Sequence, residues 1–416
     1  MYQPPVYPGY QPPATFKGTN YFPSITWSRD SIRGLLSANG TLPGFFHPVD
    51  TAAEIGVIAA AGLNNIRLFG SFYGWMIDPI DYLNNLQTLC AICNAAGVSI
   101  TYVFWTTASD VVPLTNQIIA TFTPTPIGIA NPSLHAAVLN TVATDSRTTR
   151  VPPGEPWHMS VLCEPGNELF RLYPTHTLWP NQLGTLAIAY VDQIARFFQR
   201  NQAGSLAFAS YDVFNEPHIY TNTDPMSPES VATMAFIRAC VDRLRIWHPN
   251  APRTVGTGAA DTDGSFFGTL VSHQNIAQDY LSFHVYPPES LSFLTTLRAA
   301  ANTALRVGRQ VVCSEFEGVF WNPWRLPQFV AELLTARRQF PGVIGAQVWG
   351  FLQSNFVTLD GALVPRRGLE WRSPIDPFVD GVIRPIASGS TPGSGVTSLP
   401  FDPNGLAAVQ QWTSAP

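Results

Sequence analysis

Eight apolar, strand-like runs alternate along this chain with amphipathic helical stretches, and that alternation leaves few folds open. The runs are Phe16–Tyr21, Asn65–Phe69, Val98–Trp105, Leu206–Phe214, Arg253–Thr257, Tyr280–Tyr286, Gln310–Glu315 and Val343–Gly350. Repeated strand–helix units predict a parallel sheet covered by crossover helices. Eight of them within 416 residues predict one α/β domain, a (β/α)8 TIM barrel with room for insertions. The clearest helix starts at Ser227-Pro228-Glu229, a cap and an N1 proline, and carries Val231, Met234, Ile237, Val241 and Leu244 on one stripe before His248-Pro249 stops it. Leu183 to Phe198 and Leu326 to Phe340 show the same periodicity.

The spacing fails in one place. Residues 106–205 lie between the third and fourth strands, far more than a βα unit needs, so a long insertion is expected there. It holds Pro152-Pro153-Gly154, Trp157 and Trp179, and as a loop on the C-terminal side of the strands it is placed to wall a cleft. Ser388 to Gly395 reads as a flexible linker, and Leu406 to Trp412 as a short closing helix. The expected organisation is a single barrel domain over residues 1–385, with a linker and C-terminal tail over 386–416.

Composition removes several function classes. Charged residues are 12% of the chain, the net charge is −5, and Lys17 is the only lysine, so no basic surface for nucleic acid or anionic membrane is expected. The uncharged stretch from Val111 to Thr144 is interrupted by Pro113, Pro124, Pro126 and Pro132 before it reaches membrane-spanning length. The first ten residues, Met1 to Tyr10, have neither a basic nor an apolar signal region. The cysteines number 5 and are scattered, unlike a disulfide framework. Cys90 and Cys93 form a C-x-x-C with no second pair to complete a zinc site, and core packing on one helix face is the expectation for them.

The chemistry is carried by two glutamates at strand ends. Glu216, in Asn215-Glu216-Pro217, follows the apolar run that ends at Phe214, and Glu315 follows Val311-Val312-Cys313-Ser314. Cleaving an acetal needs a proton donor for the leaving oxygen and a second carboxylate across the sugar, to attack or to activate water. Two Glu residues at two strand ends meet that demand. Rival chemistries lack their residues. There is no G-x-S-x-G elbow, the sole lysine is followed by Gly18 and so makes no P-loop, Gly256-Thr257-Gly258 does not continue into a dinucleotide fingerprint, and the 8 histidines include no H-E-x-x-H. No metal or other cofactor is expected. Gly166-Asn167-Glu168 repeats the Asn-Glu pair without a preceding strand, which leaves it at most a substrate contact. The alternative from another class is a non-catalytic carbohydrate-binding barrel, against which the presence of both Glu residues argues.

Further short motifs keep the same order along the strands: Gly18-Thr19-Asn20-Tyr21, Asn65-Ile66-Arg67-Leu68-Phe69, Ser282-Phe283-His284-Val285-Tyr286 and Gln347-Val348-Trp349-Gly350. Together with the two glutamates, the chain resembles clan A glycoside hydrolases, most closely glycoside hydrolase family five, the cellulase and mannanase family, from the first strand to the eighth. The resemblance implies Glu216 as general acid/base and Glu315 as nucleophile. It also implies Asn215 on the sugar 2-hydroxyl, Arg67 and Tyr286 against the nucleophile, His284 in the proton network and Trp349 as sugar platform. Many members carry a His at the end of strand three; here the sequence is Val103-Phe104-Trp105-Thr106-Thr107, and Trp105 is a candidate platform in its place, with Trp321 a further candidate substrate contact.

The implied function is retaining hydrolysis of β-linked glucan or mannan polysaccharides or oligosaccharides, endo-β-1,4-glucanase-like, with β-mannanase or exo-acting β-glycosidase as the variants within the clan. A retaining site must hold Glu315 ionised and Glu216 protonated at the start, which Arg67 near Glu315 and desolvation of Glu216 would achieve. The carboxyl groups should then lie about 5–5.5 Å apart. An extracellular monomer is expected, although no signal peptide is visible in the sequence.

Overall fold

The computed structural model describes residues 16–21, 48–70, 72, 75, 78–105, 133, 183–201, 208–216, 228–257, 278–285, 293–306, 308–316, 326–348, 355–357, 363–365 and 403–415. Eight parallel strands close into a barrel in sequence order. They are β1 (Phe16–Tyr21), β2 (Asn65–Phe69), β3 (Ser99–Val103), β4 (Phe208–Asn215), β5 (Arg253–Thr257), β6 (Tyr280–Val285), β7 (Gln310–Phe316) and β8 (Val343–Val348). The described helices are α1 (Pro48–Ala60), α2 (Pro79–Ala95), α3 (Leu183–Asn201), α4 (Pro228–Trp247), α5 (Phe293–Arg306), α6 (Leu326–Gln339) and α7 (Pro403–Ser414). A two-stranded antiparallel sheet of β9 (Asn355–Val357) and β10 (Leu363–Pro365) stands apart from the barrel and was not expected.

The main core lies between the strands and the helices. Outward residues such as Ile66, Leu68, Ile100, Tyr211 and Val213 join Leu86, Leu89, Ile194, Ile237 and Leu333 from the helices. Cys90 and Cys93 are buried in this layer with free thiols, one helical turn apart on α2, so they pack as expected. Inside the barrel, Phe16, Ala209, Tyr280, Val312 and Ile344 form a separate cluster drawn from five strands. Above it lies a polar layer: Gln347 Nε2 donates to Asn65 Oδ1 at 2.6 Å, Asn65 Nδ2 to Ser99 Oγ at 3.0 Å, and Ser210 pairs with Thr101 and Tyr280 through their hydroxyls.

Local chemistry sets the turns. Asp78 caps α2 by accepting from the Asp81 amide, with Pro79 at the first helical position. The same helix ends at Gly97, whose φ of 70° lies in the left-handed region that glycine tolerates, and Val98 N returns to Cys93 O to start the approach to β3. Residues 106–182, where the expected insertion falls, lie outside the described residues apart from Ser133, and α3 is the crossover helix into β4.

Register shifts on β4, β7 and β8, and two of these strands, β4 and β7, position a candidate catalytic glutamate. On β4, Asp212 pairs with Thr254 and Asn215 with Gly256, so three steps on β4 match two on β5. On β7, Cys313 pairs with Phe283 and Glu315 with His284, leaving Ser314 as the extra residue. A bulge re-aims the side chains that follow it. Strict alternation would put Asp212 and Asn215 on opposite faces, whereas here both reach Arg67 inside the barrel.

The closing helix α7 packs on the barrel, within the span assigned from sequence to the tail. Trp412 is fully buried, with its ring 5.9 Å from that of Phe316 on β7. Thr413 Oγ1 donates to Ala61 O at 2.8 Å, and the only lysine, Lys17, donates from Nζ to the carbonyls of Thr413 and Ala415 at 2.7 and 2.6 Å, capping the helix. Trp412→Ala is therefore expected to lower the unfolding free energy in urea by about 3–5 kcal/mol, as for an aromatic side chain removed from a core. A change within about 0.5 kcal/mol, the usual effect at an uninvolved surface position, would mean that α7 contributes nothing to the barrel.

Candidate active site

At the C-terminal end of the barrel the site is organised by Arg67, which points inward from β2 and is fully buried. A guanidinium has five N–H donors in a rigid fork, and every one has a partner here. Nε donates to Asp212 Oδ2 at 2.9 Å; Nη1 donates to Asn20 Oδ1 at 2.8 Å and to Glu315 Oε1 at 2.5 Å; Nη2 donates to Asp212 Oδ2 and Asn215 Oδ1, both at 2.7 Å. Burial alone would weaken the charge, but Asp212 and Glu315 outweigh it and raise the Arg67 pKa, so the cation persists. Asn20 in turn donates through Nδ2 to Ser314 O at 3.0 Å, which ties β1 to the bulge beneath Glu315.

Glu216 stands opposite, just past the end of β4. Its φ of 51° makes it the one described residue other than glycine in the left-handed region. The backbone is held there from two sides, with Asn215 N donating to Trp105 O at 2.6 Å and Glu216 N to Gly256 O at 2.7 Å. Backbone strain of this kind persists only where surrounding bonds over-determine it. The result is a carboxyl aimed across the barrel mouth, its side chain 16% exposed. Burial, opposed by Arg67 and assisted by Asp212, pushes the Glu216 pKa up to about 7.

His284 links the two glutamates. Its Nδ1 lies 2.6 Å from Glu216 Oε1 and 3.6 Å from Glu315 Oε2. Burial lowers the His284 pKa to about 4 against the raising influence of Glu315, so the imidazole is neutral near pH 7. With Glu216 protonated, its O–H donates to Nδ1 and the ring proton sits on Nε2. With Glu216 ionised, Nδ1–H donates to the carboxylate. One short hydrogen bond thus serves both protonation states through a change of tautomer.

One ligand atom each from Glu216, His284 and Glu315 lie within 4.8 Å of one another, which among the described residues makes these three a group capable of holding a cation. The Arg67 guanidinium, already on Glu315 at 2.5 Å, opposes a cation at that carboxylate.

Of the residues expected from sequence, Arg67, Asn215, Glu216, His284 and Glu315 converge on this site. Trp105 does not take the expected role of sugar platform. It is fully buried, with its ring edge-on to Phe72, Tyr190 and Phe236, and its contribution is the carbonyl that holds Asn215. Tyr286, Trp321 and Trp349 lie outside the described residues. Sequence reasoning missed Asn20, Asp212 and Gly256. Asp212 follows Ser210 in the period-two pattern of a strand whose inner face is polar, and that was the available signal.

No protein-family model matches the chain, and no curated protein matches it in sequence. Solved structures do resemble it. A glycoside hydrolase family 5 mannosidase from Rhizomucor miehei is similar over 97% of this chain and 94% of its own, with 13% identity and a TM-score of 0.52. An endo-glycoceramidase II from Rhodococcus sp. covers 85% of this chain and 76% of its own at 17% identity and a TM-score of 0.49. An endo-1,4-beta-mannanase from Eisenia fetida covers 72% and 76% at 14% identity and a TM-score of 0.43. The first of these bears the name of the family that the sequence resembles, and at 13% identity its likeness speaks for the barrel fold.

The raised pKa of Glu216 has a thermodynamic consequence. A carboxyl that titrates near 4.5 unfolded and near 7 folded adds stability that is complete below pH 4.5 and is lost as pH rises through 7. Glu216→Gln cannot ionise and escapes that loss. The unfolding free energy of wild type relative to Glu216→Gln, measured in urea, should fall by about 3 kcal/mol between pH 4.5 and pH 8. A difference that stays constant across that range would show that Glu216 is not held in its protonated form.

Proposed function

We propose that this chain is a retaining β-glycoside hydrolase acting on β-linked glucan or mannan type polysaccharides or oligosaccharides. The observation that carries the reading is the approach of Glu216 and Glu315, with carboxylate oxygens within 4.8 Å of each other across the barrel mouth. That approach supports the short separation of a retaining pair, about 5–5.5 Å between carboxyl groups, over the wider gap that an inverting enzyme needs for its water. The left-handed backbone at Glu216 supports a functional role for this carboxyl, since such strain clusters at active sites and ligand clamps.

The chemistry follows from the groups in place. Glu315 attacks the anomeric carbon while the bond to the leaving oxygen breaks, and that oxygen takes the proton of Glu216. A water then gives a proton to the Glu216 carboxylate and its oxygen bonds to the anomeric carbon, and the bond to Glu315 breaks to restore its carboxylate. His284, neutral at working pH, keeps its hydrogen bond to Glu216 through both halves. Asn215, fixed by Arg67 at 2.7 Å, turns its amide N–H toward the sugar, where the resemblance places the 2-hydroxyl. Monomeric state and extracellular location belong to this reading as expectations; among the described residues, no helix is long and apolar enough to cross a membrane.

Turnover of an aryl β-glycoside tests the proposal, with β-glucan and β-mannan oligosaccharides as the following panel. Glu216→Gln and Glu315→Gln should each lower kcat by several orders of magnitude with the fold retained. The first-formed product, followed by NMR, should be the β anomer, and azide should rescue Glu315→Gly as the α-glycosyl azide. Near-native kcat in either glutamine variant, or an α anomer from wild type, would sink the assignment. Chelator treatment should leave the rate unchanged, and loss of rate restored by a divalent ion would contradict a mechanism run by carboxylates alone.

A further inference from the structure

We propose that Asp212 is a positioning residue that holds Glu216 in its proton-donating state, acting through the Arg67 guanidinium and the His284 imidazole. The inference rests on the reading of Glu216 as the acid, and it concerns a residue that sits four positions before it on β4 and touches no point where a sugar could lie. Asp212 is fully buried. Both of its oxygens are committed: Oδ2 accepts from Arg67 Nε and Nη2, and Oδ1 accepts from the Gly256 amide at 2.9 Å.

The first route runs through Arg67. Among the described residues, four charged or titratable groups face Glu216 from the surrounding strands: Arg67 on β2, Asp212 on β4, His284 on β6 and Glu315 on β7. Arg67 pulls the Glu216 proton off, and Asp212 opposes it. When Glu315 forms an ester it ceases to neutralise Arg67, and Asp212 is then the remaining carboxylate on that guanidinium. It keeps the buried cation paired through the covalent stage.

The second route runs through His284 and depends on Gly256. A Cβ on Gly256 would lie 2.8 Å from Asp212 Oδ2, 2.9 Å from His284 Nε2 and 3.0 Å from Arg67 Nη2. The missing side chain is what allows these three atoms to converge around one point. His284 Nε2 is buried and finds no hydrogen-bond partner among the described residues, so no bond fixes the ring's tautomer from that side. At that ring edge Arg67 Nη2 favours a bare Nε2 and the carboxylate of Asp212 favours the proton there, so Asp212 is the group that offsets the guanidinium and keeps the Nε2–H tautomer accessible. That tautomer leaves Nδ1 as an acceptor, the form that receives the O–H of protonated Glu216 at 2.6 Å.

The test needs no substrate. Asp212→Asn keeps the shape and removes the charge. Nitrogen-15 NMR of His284 reads the tautomer, and the infrared carboxyl band that disappears in Glu216→Gln reads the Glu216 titration. Wild type at pH 5.5 should show an unprotonated Nδ1 and a protonated Nε2. In Asp212→Asn, the Nδ1–H tautomer should become populated and the Glu216 midpoint should fall by about one pH unit or more, since a like charge has been removed. Asp212→Ser, whose hydroxyl can accept from the Gly256 amide, is the second variant should asparagine, which also carries a donor, not fold. If either folded variant keeps the wild-type tautomer and midpoint, Asp212 is structural and the inference is overturned, whatever happens to the rate. If the NMR and infrared shifts appear but wild type turns over no β-glycoside, the proposed function fails and the positioning role stands. Where turnover is found, the basic limb of kcat/KM should move down with the midpoint, and a uniform loss at every pH would count against the role.

Discussion

A buried guanidinium must be paired on all sides, and the active end of this barrel is arranged around that requirement at Arg67. Its five donors reach Asn20 on β1, Asp212 and Asn215 on β4 and Glu315 on β7, so one side chain on β2 sets the relative positions of groups on three other strands. Removing a charge from water is expensive, and the expense is offset only when the geometry satisfies every donor. The planar fork gives directions as well as charge; an ammonium in the same place would offer three rotatable donors and could not fix the partners' positions. The charge also distinguishes the two glutamates: Glu315 accepts from the Arg67 cation at 2.5 Å, whereas Glu216 shares a 2.6 Å hydrogen bond with a neutral imidazole.

Bringing side chains of β4 and β7 to the same guanidinium requires breaking the period of both strands. A regular strand alternates its faces and would give Arg67 only one of Asp212 and Asn215. The bulge between them spends one residue of pairing and gains an inward carboxylate and an inward amide. Ser314 does the same on β7, where the displaced register aligns Glu315 with His284. The left-handed turn at Glu216 is the next step of the same distortion, and the Gly256 carbonyl that holds it belongs to the residue whose amide holds Asp212. The two irregularities on the β4 side are therefore linked through one glycine.

The barrel was legible because its signal is periodic. Three of the eight strand runs, at Phe16, Asn65 and Arg253, coincide with the observed bounds, and the others differ by a few residues at the ends. Val98–Trp105 shortens to Ser99–Val103, although Phe104 N still donates to Asp212 O and Trp105 O accepts from Asn215 N; the two side chains pack into the aromatic cluster with Tyr190. That same burial undoes the sugar-platform reading of Trp105, since an aromatic at a strand end looks alike whether it faces a cleft or a core. The glutamates, Arg67, Asn215 and His284 were legible from motif order along the strands. Asp212 was not, because a single acid between Tyr211 and Val213 gives no sign of the arginine that it will meet from another strand. Gly256 was read only as part of a failed dinucleotide motif; what makes it matter is the convergence of three side chains on its absent Cβ, a property of the assembled barrel.

The sum of charges ties these observations to the proposed reaction. With Glu216 protonated and His284 neutral, the site holds one guanidinium against the carboxylates of Asp212 and Glu315, an excess of one negative charge. That excess disfavours ionising Glu216, which keeps an acid available for the leaving oxygen. An ester at Glu315 removes the excess and leaves Arg67 balanced by Asp212 alone, so the penalty on a Glu216 carboxylate falls when the second half-reaction needs a base. A site with only Arg67 and Glu315 would pass from neutral to net positive instead, and it would begin with a weaker case for a protonated Glu216. The third carboxylate, although remote from the sugar, therefore sets the baseline from which the proton on Glu216 is given up and taken back.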